Sequence, residues 1–494
     1  MSVAGRTVAS LVGTVVKALA LPLALSAAVA FLYRESTAPF LLPAVGSFVL
    51  GVGLERFPRR DIGIREAFLM VSLTWLAVAL VGAVPFLLVG SGVFASPVDA
   101  VFESMSGITT TGATVVASFD VHPRGLLFWR QLIQWLGGLG ILVLAVGLLS
   151  QLEVGGAQLM ETETQTQDVT KLTPRISQTA RIIGSLYVAL TALVVVVLLG
   201  LNFVGVAPRM GPYNAVAHAL TSVATAGFSP EAESVGAFSP AAQWVISAAM
   251  LLGATNFVLL YALTRGRFRR LRESEELWFY LSVVAGASAL LAVVLRIDGE
   301  FASAEATVRH ALFQTTSIVT TTGYATVDFD LWSPAAKHLL FLGMFVGGMA
   351  GSTTCSIKSF RWLVVFKTLR RDLFTEIHPD AVRPIRVGGN VVDEGTIRDV
   401  NAYIVLSVLI FTLLTVFVVV ETSNSGLGVT EFDAMGIAAA TFLNIGPAFG
   451  AAGPYGTYAG LSDVTKWVLV VLMWIGRIEI VPVLVILTPA FWRS

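Results

Sequence analysis

Ten long apolar runs divide this chain, near residues 8–32, 38–54, 66–92, 126–150, 180–206, 240–263, 277–296, 335–366, 400–420 and 465–488. Each offers close to the roughly 20 residues a helix needs to cross a hydrocarbon core about 30 Å thick. Lipid satisfies no backbone hydrogen bonds, so such a chain is expected to fold as membrane-spanning helices. Only 13% of the residues are charged and 55% are hydrophobic, against roughly 25% charged in a soluble domain. The whole chain is therefore placed in the bilayer, not a single anchor. The first run exceeds the apolar core of a secretory leader and is followed at once by a second, so it is expected to stay in the mature protein.

Charge orients the spans. With the N-terminus in the cytoplasm, most of the 32 Lys and Arg fall on that side, most densely in RGRFRRLR at 265–272, while the 32 acidic residues divide almost evenly. This bias predicts a multi-pass protein of the cytoplasmic membrane with both termini cytoplasmic. A net charge of zero gives no ground for a nucleic-acid partner. The single Cys355 excludes an intramolecular disulfide framework, and five histidines without an HExxH pattern leave zinc catalysis without a ligand set. GGLG at 137–140 lies inside an apolar run without a βαβ context, so neither a nucleotide-binding unit nor a cofactor is expected in this chain.

The outer loops at 93–125, 207–239, 297–334 and 421–464 each carry a similar segment: DAVFESMSGITTTGAT from Asp99, NAVAHALTSVATAGFS from Asn214, HALFQTTSIVTTTGYA from His310 and DAMGIAAATFLNIGPA from Asp433. They align on Gly112, Gly227, Gly323 and Gly446, which lie 115, 96 and 123 residues apart. A repeat of that length holds two spans and the loop between them. Asp99, Asn214 and Asp433 are expected as N-caps of short helices, with His310 a poorer cap. A helix of about ten residues is too short to cross the bilayer, so each should enter from outside and turn back. Its C-terminal carbonyls then point inward with partial negative charge, which favours a cation. Four irregular tracts meeting at one axis would present backbone carbonyls to an ion, with each glycine supplying the backbone angles that aim them. This is the pattern of a selectivity filter; ordinary turn glycines would not be expected four times in register.

These residues resemble the Trk/Ktr/HKT superfamily of potassium transporters. TTTGAT, ATAGFS, TTTGY and LNIGP are similar to its four degenerate filter signatures, and the extra N-terminal hairpin at 8–54 points to the branch of TrkH-type membrane subunits. The resemblance implies an all-α integral membrane protein. It has four pseudo-symmetric helix/pore-loop/helix repeats around one ion pore, plus an N-terminal two-helix hairpin. The units would be 1–60, 61–165, 166–272, 273–392 and 393–494. Carried onto this sequence, the filter comprises Thr110, Thr111, Gly112, Thr225, Ala226, Gly227, Thr321, Thr322, Gly323, Asn444, Ile445 and Gly446, with potassium as the bound ion and substrate. Pro447 after the last glycine departs most from the other copies, though it too resembles the family.

GGMAGSTTCSIKS, at 347–359, interrupts the eighth run with glycines and hydroxyls that make a continuous helix poor. It reads either as a break lining a watery path or as a small-residue face for tight helix packing. The family implies an intramembrane gate loop here, made by Gly347, Gly348, Gly351, Ser352, Thr353, Thr354 and Lys358. Arg477 and Glu479 lie in the last run, two apart, so each needs a partner elsewhere. Arg477 could donate to carbonyls of the 347–356 loop, the role the family suggests, or could snorkel to the cytoplasmic interface. Asn256 is a weaker case of the same kind. Glu103 and His218, nine residues before their glycines where the other copies have Gln314 and Ile437, could support the filter, attract cations or cap helix packing.

The polar segments 151–179 and 367–398 are long enough to dock another protein, and RGRFRRLR could meet that protein or anionic lipid headgroups. The resemblance implies a homodimer and a cytosolic regulatory partner of the TrkA kind that binds nucleotide. Two function classes follow: a channel-like potassium uptake system, and a sodium- or proton-coupled potassium symporter using the intramembrane charges. An intramembrane enzyme has no plausible catalytic set.

Overall fold

The computed structural model describes residues 5–60, 62–147, 176–423 and 426–493. Most of the 151–179 segment expected to dock a partner lies outside these residues.

The protein is an all-α integral membrane protein. Among the described residues, seven of the ten apolar runs are helices long and apolar enough to cross a membrane: Gly5–Leu32, Ala38–Glu55, Ile64–Val89, Arg124–Leu144, Gln178–Phe203, Glu275–Asp298 and Glu394–Thr422. Three others are interrupted, the eighth as its glycines and hydroxyls predict, the sixth and tenth against the expectation of continuous spans. The sixth splits into Pro240–Gly253 and Phe257–Thr264, bent by 107°, and the tenth into Asp463–Arg477 and Val481–Leu487, bent by 117°. The eighth splits into Pro334–Gly343 and Ser359–Ile377 around a non-helical tract. Each break has a local cause. Asn256 turns its side chain back to accept from the amides of Val258 and Leu259, capping the second half of the sixth run. Glu479 and Ile480 both have positive φ, at 65° and 58°, which ends the helix before them.

Four short helices lie between the spans: Pro97–Ile108, Pro212–Val223, Ala304–Val319 and Glu431–Phe442. Their N-caps are Ser96, Gly211, Ser303 and Thr430. The expected caps are therefore corrected: Asp99, Asn214 and Asp433 sit at the third helical position and His310 well inside its helix. Asp433 closes a reciprocal capping box with Thr430, which explains why an acidic residue is favourable there without being the cap. Asp99 pairs instead with Lys466 at 2.6 Å.

Polarity is inverted relative to a soluble protein. Phe31, Leu42, Phe203, Val405 and Leu413 are exposed on the outside, while Glu103, Thr111, His218, Thr225, Gln314, Thr322 and Asn444 are buried at the centre. The N-terminal hairpin packs by glycine: a Cβ on Gly13 would lie 2.5 Å from Leu54 Cβ, and one on Gly51 2.5 Å from Lys17 Cβ. On the side expected to be cytoplasmic, Arg386–Val387 pairs antiparallel with Asn390–Val391 in a small hairpin. Its Ile385, Val387 and Val392 pack against Phe360, Val364 and Ile397. Asp393 caps the next helix, and its carboxyl is held below the usual range by the Thr396 hydroxyl and amide.

Candidate functional site

All four short helices end the same way. Thr111, Ala226, Thr322 and Ile445 donate their amides to the carbonyls five residues back, of Ser106, Thr221, Ser317 and Ala440, at 2.8–2.9 Å. The preceding residues, Thr110, Thr225, Thr321 and Asn444, are left-handed, with φ of 54°, 49°, 54° and 56°. This is the Schellman ending, in which glycine usually occupies the left-handed position. Here side-chain-bearing residues occupy it four times. Such strain costs about 1–2 kcal/mol per residue and persists only where surrounding structure enforces it.

Two residues further on, Gly112, Gly227, Gly323 and Gly446 have φ of 80°, 80°, 79° and 105°. A Cβ on Gly112 would lie 2.6 Å from the Ala226 carbonyl oxygen, and one on Gly446 2.6 Å from that of Thr111. On Gly227 it would overlap the Thr322 carbonyl oxygen, and on Gly323 that of Ile445. Each glycine therefore abuts the carbonyl of the next segment, in the cyclic order first, second, third, fourth, first. The twelve residues expected at the filter lie around one closed ring.

Above the ring is a cavity of about 220 Å³ whose lining includes all four glycines, Thr114, Ser229, Glu231 and Tyr455. Arg130, also in its wall, was not anticipated from the sequence. Neither was Gln134, whose Nε2 donates to the Ala226 carbonyl at 2.6 Å while its Oε1 accepts from the Phe228 amide at 2.9 Å. That carbonyl retains a second lone pair. Arg130 and Gln134 both interrupt an apolar run, FWRQLIQW, and a polar residue at membrane depth is itself the signal that could have found them. The fourth segment is tied to the first: Asn444 Nδ2 donates to Thr111 Oγ1 at 2.8 Å, Tyr458 N to the Thr114 carbonyl at 2.9 Å, and Tyr458 Oη to the Gly446 carbonyl at 2.7 Å.

Below the ring runs the tract 344–358. Thr353 meets Thr225 hydroxyl to hydroxyl at 2.9 Å and donates to the Gly253 carbonyl at 2.9 Å. The Cys355 amide donates to Thr321 Oγ1 at 3.1 Å. Ser352 bonds Thr354 at 2.8 Å, and the Gly351 carbonyl accepts from Phe257 N at 3.1 Å. Gly347 and Lys358 close the tract with a backbone bridge, and the Gly348 carbonyl accepts from Ser359 N at 3.0 Å. The tract is non-helical and lies beneath the ring, so the packing-face reading does not describe it.

The paired charges in the last run find separate partners. Arg477, 1% exposed, donates to the carbonyls of Thr353 at 3.0 Å and Gly137 at 2.9 Å, so it does not snorkel. Its Nη1 also lies 2.7 Å from Cys355 Sγ. Glu479 receives Lys358 at 2.7 Å and Arg361 at 2.6 Å. Asn256 donates to the Ala350 carbonyl at 2.8 Å, so the sixth and tenth runs both hold this tract at their breaks.

The family model TrkH, described as a cation transport protein, matches residues 47–493. The chain is 38% identical to the Trk system potassium uptake protein TrkH of Halomonas elongata over 91% of this chain and 90% of that one. It is 34% identical to the protein of the same name from Salmonella typhimurium over 99% of both. Among solved structures, that of the potassium transporter TrkH from Vibrio parahaemolyticus superposes with a TM-score of 0.88 at 32% identity, covering 99% of this chain and 100% of that one.

Proposed function

The chain belongs to the TrkH family of cation transport proteins, and from that premise we propose that it takes up potassium across the cytoplasmic membrane through one channel-like pore. The relatives are named as potassium uptake proteins. The observation that carries the reading is the closed ring in which Gly112, Gly227, Gly323 and Gly446 each abut a neighbour's carbonyl. Backbone oxygens gathered around one ring can replace an ion's water shell, and the negative ends of four short helices favour a cation beside them. The filter is the set Thr110 to Gly112, Thr225 to Gly227, Thr321 to Gly323 and Asn444 to Gly446.

The tract 344–358 acts as the gate. It is bonded to the ring from below through Thr225 and Thr321 and held there by Arg477. Both termini lie in the cytoplasm, two copies assemble with one pore each, and a nucleotide-binding cytosolic subunit of the TrkA kind biases the gate. Arg477 and Glu479, the charges a coupled symporter would use, are engaged by Thr353, Gly137, Lys358 and Arg361, which weighs against coupling. In liposomes holding the purified chain, potassium should move down its own gradient with no sodium or proton gradient present. Uptake that stalls until such a gradient is imposed overturns the channel reading in favour of symport.

A further inference from the structure

Nine residues before each filter glycine, one side chain of the short helix faces the strand that leaves the ring. In the first segment Glu103 Oε1 accepts from the Thr114 hydroxyl at 2.9 Å and its Oε2 from the Val115 amide at 2.9 Å. In the second, His218 Nε2 meets the Ser229 hydroxyl at 3.0 Å. Its Nδ1 lies 2.8 Å from the Asn214 carbonyl, which can only accept, so Nδ1 carries the proton and a neutral Nε2 accepts from Ser229. In the third, Gln314 Nε2 donates to Thr326 Oγ1 at 3.2 Å. Three different residue types thus tie the helix to the segment leaving the ring: Glu103 and His218 accept from a hydroxyl two residues past the glycine, and Gln314 donates to one three residues past it. The fourth segment has Ile437 and Ala448 there, both buried and apolar, and its strand is held from the outer loop by Tyr458 instead.

The first bond is extended by a cation. Arg130 Nε donates to Glu103 at 2.7 Å, Nη2 to Thr114 Oγ1 at 3.1 Å, and Nη1 to the Ser229 carbonyl at 3.1 Å, with its guanidinium 3.9 Å from the centre of the Phe228 ring. One buried side chain thereby joins the strands leaving the first and second segments. A fully buried ion pair is often no more stabilising than apolar residues of the same volume. Stability alone therefore gives little reason for this one, whereas fixing two adjacent strands at the ring does.

Resting on the filter reading above, we propose that Glu103, His218 and Gln314 are positioning residues that set the ion preference of the ring, and that Arg130 couples the first two. By holding each strand just outside its glycine, they fix the distance between opposing carbonyls, and that distance decides how well a given cation is dehydrated.

The test uses the full chain in liposomes, with the potassium-to-sodium permeability ratio taken from reversal potentials. His218→Leu, Gln314→Met and the charge-neutral pair Glu103→Gln with Arg130→Met should each lower the ratio roughly tenfold, the scale of one lost buried hydrogen bond. His218→Gln, whose amide oxygen can still accept from Ser229, should restore most of it, and Ile437→Leu should change nothing. A purely structural role would lower yield and thermal stability and leave the ratio unmoved in the protein that folds. An unchanged ratio in monodisperse His218→Leu and Gln314→Met overturns the proposal while leaving the filter assignment intact. An unmodified chain that passes sodium as readily as potassium overturns the filter reading itself.

Discussion

Arg477 and Thr353 are joined by a hydrogen bond of 3.0 Å, from a guanidinium buried in the last span to a backbone carbonyl directly beneath the ring. The same guanidinium reaches the Gly137 carbonyl in the fourth span at 2.9 Å. One side chain thus holds a non-helical tract against two helices that are distant in sequence. A hydrogen bond to a charged group contributes about 1.5–3 kcal/mol, enough to hold the tract firmly in this position.

Arg477→Met removes both donors and keeps much of the volume. Basal potassium flux into liposomes should rise about tenfold or more, as expected from losing one such bond. Tracer uptake without any added partner measures it, and flux no greater than that of the parent chain contradicts the assigned role.

Glu479→Gln leaves Lys358 and Arg361 facing each other without a counter-charge, with Arg361 still 3.8 Å from the centre of the Tyr403 ring. Lys358 and Arg361 are buried while Glu479 is 20% exposed, so the loss should fall below the roughly 3–5 kcal/mol of a fully buried pair broken on one side, and the detergent-solubilised protein should still melt lower. Adding Lys358→Met should recover part of the loss.

Alanine at the four filter glycines should not act alike. At Gly227 and Gly323 the new methyl overlaps a neighbouring carbonyl oxygen, whereas at Gly112 and Gly446 it meets one at 2.6 Å. Positive φ adds strain at all four. Permeability ratios should therefore fall furthest for Gly227→Ala and Gly323→Ala, and equal effects at all four sites would contradict the geometry.

Gly51→Val tests the opposite end of the molecule. It forces apart helices that touch at Gly13 and Lys17, and overpacking of this kind costs about 1–3 kcal/mol. Thermal stability should drop while the permeability ratio stays at the parent value, because no filter residue is touched.

What could be read from the sequence depended on whether a residue's neighbours in space were also its neighbours in the chain. The four segments were legible because a left-handed residue followed by a positive-φ glycine demands a short, recognisable string, and that string occurs four times. The caps were not, because Asp99, Asn214 and Asp433 align while the true caps, Ser96, Gly211, Ser303 and Thr430, share no residue type across all four. The eighth run announced its break through glycine and hydroxyl density. The sixth and tenth marked theirs only by Asn256 and by Arg477 with Glu479, polar residues that signal a need for partners and not the ends of helices bent by 107° and 117°. Arg130 and Gln134 went unread because their meaning lies in Glu103 and in Ala226, 27 and 92 residues away.

The ring closes between its first and last members through Thr111 with Asn444, Thr114 with Tyr458, and Asp99 with Lys466. These contacts join the early part of the chain to its final fifth. A ribosome delivers the early segments long before the last one exists, and until Lys466 emerges the enclosure has an open side. A nascent chain halted before Asp433 therefore lacks every one of these closing contacts, and the ring can form only once the final segment has been inserted.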